Sequence, residues 1–164
     1  MSLSDYFTRK PVFEIFPLET DDVGIAAMLH RLRFPQPWND GEFHSLLSQD
    51  SVFGFLAVKE GALGRTAGGF VLARATAGEA EILTIGVDER FGRAGLGWRL
   101  MQAALREAKM RGAEDVFLEV DERNAAACGL YVKLGFSKVG ERKAYYAAAD
   151  GSRSTALVMR RDLR

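Results

Sequence analysis

Cysteine is nearly absent. Cys128 is the single one among 164 residues, which excludes an intrachain disulfide and a cysteine-built zinc site. Its place in an alanine run suggests a small buried helix residue. Histidine occurs twice, as His30 and His44; each stands alone in a helix-like segment and reads as structural, so no metal is expected. Neither charge sign is in excess, since 22 basic side chains balance 22 acidic ones, and the chain as a whole is no polyanion binder. No apolar run approaches the roughly 20 residues of a membrane-spanning helix, and Met1–Lys10 lacks the apolar core of a signal peptide. A cytoplasmic protein with no membrane partner is expected. Repeats, linkers and low-complexity tracts are missing too, so residues 1–164 are expected to form one domain.

What is present is an ordinary globular composition, 48% apolar and 27% charged. Thr20, followed by Asp21 and Asp22, can cap a helix that FPQPWN (34–39) ends with its two prolines. Asn39 and Glu42 have capping-box spacing, which predicts a short helix over 40–48. Three strand candidates follow, 52–58, 66–74 and 80–87, with turn chemistry between them that fits antiparallel hairpins. Leu100, Met101, Ala104, Leu105 and Ala108 fall on one helical stripe that ends before Gly112. Val116–Val120 is a short buried-strand candidate, Asn124 can cap a helix that Gly135 ends, and 136–146 with 154–161 form a last pair around ADGS. This order predicts a mixed α/β domain whose central sheet contains one βαβ crossover, with strands 80–87 and 116–120 parallel.

Between those strands lies VDERFGRAGLGWRLM (87–101), glycines that open a helix, a common place for a phosphate. A Walker loop fails because Trp98, not lysine, follows Gly97. A dinucleotide fingerprint has a matching acid in Glu119, but Gly92, Gly95 and Gly97 are spaced G-x-x-G-x-G and the preceding strands make hairpins. The remaining reading is a diphosphate held by main-chain N–H groups of Arg93, Ala94, Gly95, Leu96, Gly97 and Trp98. From Asp88 to Arg111 there are six basic residues against three acidic ones, a local excess where an anion would need it.

Several side chains stand out. Glu119 in VFLEV lies on the face opposite Val116, Leu118 and Val120; it is either a solvent-facing strand residue or a carboxylate with a task. Tyr131 in LYVKLGF is a core aromatic or a proton donor, since a phenol of pKa about 10 suits a thiol leaving group of about 8.5. Asn124 is an N-cap with a side chain that can serve a ligand as well, and Gly86 marks a bulge or a close backbone approach. Trp38, Tyr145 and Tyr146 fit an acceptor groove or core packing. Arg153, Arg160, Arg161 and Arg164 read as a solvated surface, with no direct nucleic-acid binding expected.

The stretches VDERFGRAGLGWRLM and NAAACGLYVKLGF resemble the two signatures of the GNAT N-acetyltransferases, and within them the RimI type, which acetylates the N-terminal alanine of a ribosomal protein. FPQPW, LEV at 118–120 and Tyr145–Tyr146 with Asp150–Gly151 match that type in order. The resemblance implies the GNAT fold, a mixed, mostly antiparallel sheet with one parallel crossover and flanking helices. It implies acetyl-CoA as donor and a protein N-terminus as acceptor. It also implies Glu119 as base through water, Tyr131 as acid, Asn124 on the pantetheine arm, and main-chain groups of Ile85, Gly86 and Val87 on the acetyl portion. A small amine or a lysine as acceptor, or an acyl-CoA-binding module without turnover, remain the alternatives. Deprotonating a lysine costs about 3 kcal/mol more than an α-amine at neutral pH, which favours an N-terminus. The loop departs from the family at Gly92, where glutamine or arginine is usual, and at Ala94, so Arg90 and Arg93 are expected to supply the missing charge.

Overall fold

The computed structural model describes residues 12–164, and the reading of Met1–Lys10 lies outside the described residues. In chain order the elements are β1 (Phe13–Pro17), α1 (Val23–Arg33), α2 (Asp40–Leu47), β2 (Val52–Gly61), β3 (Gly64–Thr76), β4 (Glu79–Val87), α3 (Leu96–Met110), β5 (Asp115–Asp121), α4 (Ala125–Lys133), β6 (Ser137–Ala147) and β7 (Arg153–Asp162). The strands make one sheet in the order β1-β2-β3-β4-β5-β7-β6, antiparallel throughout except for the β4–β5 pair. The mixed sheet with a single parallel crossover is the one the element order implied.

Both faces of the sheet are covered, which is why β2 and β3 read as nearly continuous apolar runs. On one face α3 buries Leu96, Leu100, Met101, Ala104 and Leu105 against Phe53, Val71 and Val116. Each such leucine or methionine contributes about 1.5–3 kcal/mol. On the other face α1 and α2 bury Leu29 and Phe43 against Leu56, Phe70 and Leu72.

Local chemistry sets several boundaries. Asn39 Oδ1 accepts from Glu42 N at 2.9 Å while Glu42 Oε2 accepts from Asn39 N at 2.8 Å, the reciprocal cap that starts α2. Asn124 Oδ1 accepts from Ala127 N at 3.1 Å and starts α4. Ala77 and Gly78 both take positive φ, as the tight β3–β4 turn requires. At the first helix the expectation is corrected. Thr20–Asp22 is a single 3-10 turn capped by Glu19, not Thr20, with Asp22 Oδ2 accepting from Glu19 N at 2.9 Å, and the α-helix begins only at Val23. Strand β1 carries no sequence expectation; it is a five-residue edge that exists by pairing with β2.

The feature that positions the site lies between β4 and β5. They pair only at Glu79–Asp115, Ala80–Val116 and Glu81–Phe117. Beyond Glu81 they part and leave a cleft. The register shift in β4 lies at Leu83, because Thr84 pairs with Leu72 but Ile82 with Ala73. Gly86 is therefore not the bulge; it pairs regularly with Phe70, and its role is close approach, since a Cβ there would lie 3.0 Å from Phe70 Cε1.

Candidate active site

A cavity of about 530 Å³ occupies one side of the cleft. Its floor is Ile85–Val87 of β4; its walls are Gly92 with the first turn of α3, the α4 residues around Asn124 and Tyr131, and the end of α1. Gly95 caps α3 at φ 68°, a left-handed conformation that glycine takes without the Cβ penalty. The N–H groups of Leu96, Gly97 and Trp98 that follow have no intrahelical acceptor and stand at the positive end of a 15-residue helix. A Cβ on Gly97 would lie 3.2 Å from Leu130 Cδ2, so this glycine lets α3 and α4 approach each other beside the cavity.

The loop's basic side chains, expected from the sequence to supply charge here, do not line this space; Glu89 is the one charged loop residue that does. Asp88 is buried and binds Arg90 at 2.8 Å through Nη2 and at 3.1–3.2 Å through Nε. That hydrogen-bonded partner holds the Asp88 carboxyl below the usual carboxylate range, and it commits the charge of Arg90. Arg99 donates to the Phe13 carbonyl at 2.8 Å, and Arg111 to that of Asp50 at 2.8 Å. Arg93 and Ala94 are exposed and do not line the cavity. Gly92 does, in an ordinary right-handed conformation (φ −59°) with a would-be Cβ 3.4 Å from the Glu89 carbonyl. No conformational demand requires glycine there.

A second cavity, about 450 Å³, lies beyond and shares Arg33, Phe34, Ile85, Asn124, Ala127 and Tyr131 with the first. It adds Glu119 and Asp121 of β5, Arg123, and Tyr146 of β6. Glu119 Oε1 forms an ion pair with Arg142 Nε at 2.9 Å, with the carboxylate about a quarter exposed and Arg142 mostly exposed. Tyr131 is 5% exposed, and burial pushes its phenol up to about 12. It is a weaker acid than the free-phenol value assumed from sequence, and it stays protonated across neutral pH. Burial also raises the Tyr146 phenol, with the nearby Glu119 charge adding to the shift. Cys128 is half-buried on α4, its Sγ donating to the Asp121 carbonyl at 3.7 Å, and its thiol is raised by burial.

Of the residues singled out from sequence, Ile85, Gly86, Val87, Gly95, Leu96, Gly97, Trp98, Asn124 and Tyr131 share the first cavity, and Glu119 and Tyr146 line the second. Trp38 instead stacks on His30 at 5.0 Å and edges Phe43 at 5.5 Å, while Tyr145 lines neither cavity. His30 is structural as expected. Its Nδ1 accepts from Trp38 N at 3.0 Å, its ring stacks on Phe34 at 4.1 Å, and burial lowers its pKa to about 4. Arg33 and Phe34 escaped the sequence reading as site residues; the FPQPW stretch that ends α1 was the available signal, because a proline stop turns the chain back over the sheet. Among the described residues no group of acidic, histidine and cysteine side chains could hold a metal ion, and no helix is long and apolar enough to cross a membrane.

Residues 25–136 match the Acetyltransferase (GNAT) family model. Over 145 residues the chain is 32% identical to the ribosomal protein bS18-alanine N-acetyltransferase of Escherichia coli, covering 88% of this chain and 94% of that one. It is 38% identical over 126 residues to the N-alpha-acetyltransferase RimI of Mycobacterium tuberculosis, covering 77% and 76%. The crystal structure of the Escherichia coli ribosomal-protein-S18-alanine N-acetyltransferase superposes with a TM-score of 0.84 at 30% identity, covering 93% of this chain and 94% of that one. With two signatures, the parted strands and these relatives in agreement, the chain belongs to the GNAT acetyltransferase family and is an N-acetyltransferase that draws on acetyl-CoA.

Proposed function

We propose that this enzyme acetylates the α-amine of a protein N-terminus, with a ribosomal protein as acceptor, in the cytoplasm, by direct transfer within a ternary complex. The observation that carries the reading is the meeting of the two cavities at Tyr131 and Asn124, with Glu119 on the second cavity only. The first cavity suits the donor. Main-chain N–H groups at the start of α3 fit a diphosphate, and the open flank of Ile85–Val87 with the Asn124 side chain fits an extended pantetheine arm. Donor and acceptor then approach from opposite sides of the same opening.

In this reading Glu119 receives, through water, the proton that the acceptor amine must lose. A main-chain N–H near Val87 polarises the acetyl carbonyl. Tyr131 gives its proton to the departing thiol. Since its phenol stands at about 12, that proton moves only as the sulfur takes up charge. The new bond is nitrogen to carbonyl carbon, the broken one carbon to sulfur. The exposed Arg142 pairs with Glu119 Oε1 at 2.9 Å, and the water that relays the proton meets the carboxylate beside that pair.

An α-amine of pKa about 8 is a better match than a lysine of about 10.4 for a single carboxylate base. The relatives named for N-terminal alanine acetylation point the same way. Incubation with acetyl-CoA and a library of N-terminal peptides, read by mass spectrometry, tests both activity and acceptor. Acetylation at the first residue of a subset of peptides is expected. Turnover confined to lysine side chains or polyamines would sink the N-terminal assignment, and none on any amine would leave a binding module.

A further inference from the structure

Arg33, at the end of α1, is the one basic side chain that lines the donor cavity among the described residues. It comes from outside the glycine loop, 59 positions before Gly92. Its stem lies over the floor of the cleft, for a Cβ on Gly86 would meet Arg33 Cγ at 3.7 Å. Its guanidinium Nη1 contacts the carboxylate of Glu89, which also lines the cavity. Glu89 opens the short turn that leads into Gly92. The pair is exposed, 36% for Arg33 and 84% for Glu89, so the contact itself is weak and exchangeable.

Nothing else on the loop offers the donor a positive side chain. Gly92 has none, Arg90 is held by Asp88, and Arg93 is exposed and does not line the cavity. The cavity's one cation is thus satisfied, in the free enzyme, by an internal carboxylate beside the place where the diphosphate would rest. We propose that Arg33 is a donor-binding residue that exchanges Glu89 for the diphosphate of acetyl-CoA. Glu89 acts as a stand-in anion, and α1 supplies the charge that the loop lost at Gly92. The inference rests on the donor assignment above and adds to it a residue and a partner exchange.

Calorimetric titration without acceptor, at low ionic strength, tests the exchange on the wild type and on Arg33→Ala, Arg33→Lys and Glu89→Gln, with thermal melting as the check on folding. For acetyl-CoA, Arg33→Ala is expected to weaken binding about tenfold, the scale of one lost charge-assisted contact. Glu89→Gln is expected to tighten it several-fold, because the competing anion is gone. Dephospho-CoA, which keeps the diphosphate, should show the same losses, and acetyl-pantetheine, which has no diphosphate, should show none. Arg33→Lys should recover part of the affinity, since it keeps the charge but not the fork. An equal loss for acetyl-pantetheine would overturn the proposal in favour of a strap over the arm. A loss that vanishes with dephospho-CoA would move the contact to the 3′-phosphate and overturn it as well. So would tighter binding failing to appear in Glu89→Gln. A wild type that binds no acetyl-CoA would instead remove the donor assignment itself.

Discussion

The two cavities that meet at Tyr131 are made of different material. The proposed donor side joins small residues, Gly86, Gly92, Gly95, Gly97, Ala126 and Ala127, to apolar ones such as Ile85, Leu96 and Leu130, with charge at only the Arg33–Glu89 pair. The acceptor side collects Glu119, Asp121, Arg123, Tyr131 and Tyr146. Main-chain donors are fixed by helix geometry and hold the same charge at any pH, which suits the invariant part of a co-substrate. Titratable side chains shift one another's proton affinity, as Glu119 adds to the burial that raises the Tyr146 phenol, which suits proton transfer. Binding of the donor and chemistry on the acceptor should therefore separate under mutation.

The largest separation is expected at the acceptor side. Glu119→Gln and Tyr131→Phe should each lower kcat by about 10²–10⁴, the range for a lost general base or acid, while donor affinity by calorimetry changes by less than about twofold. Parallel losses in both would break the contrast. Next comes pH. His30, against Phe34 at the edge of both cavities, is pushed from 6.5 down to about 4 by burial. Between those values the unfolded chain binds a proton that the folded one refuses, so stability is full above pH 6.5 and is lost as pH falls toward 4. The loss approaches about 3 kcal/mol, and melting curves of the wild type against His30→Asn over that window should show it flattened in the variant.

At the donor side, Gly97→Val forces its Cβ against Leu130 and should cost about 1–3 kcal/mol of stability with weaker acetyl-CoA binding. Unchanged donor affinity in a folded variant would mean that the close approach of α3 to α4 serves packing alone. The smallest effect belongs to Arg93→Ala. Its side chain lies off the cavity, so donor affinity should stay within about twofold, as for an exposed charge. A tenfold loss would restore the loop arginine to the site.

Legibility in the sequence followed the range of the interaction. Asn39–Glu42, Asn124–Ala127 and the tight turn at Ala77–Gly78 depend on neighbours within a few residues and could be read directly. The glycine order was local too, and it selected main-chain phosphate binding. Strand β1 was not legible, because FEIFP becomes a strand only through Lys59–Phe55 of β2. Nor were the Glu119–Arg142 and Arg33–Glu89 pairs, which join segments brought together by sheet register and by the turn after α1. Of the two readings of Gly86, close backbone approach matches the structure and the bulge does not. The irregularity sits at Leu83, where a two-against-one register leaves no compositional mark.

The parting of β4 from β5 after Glu81 has a consequence outside catalysis. It leaves a run of backbone edge in the interior of a sheet, the kind of edge that folded proteins normally cover because a strand from another chain can pair with it. In the position proposed for it, the donor would lie along that edge and shield it. With acetyl-CoA in the proposed position the purified enzyme should therefore aggregate more slowly on warming than without it, as light scattering would show.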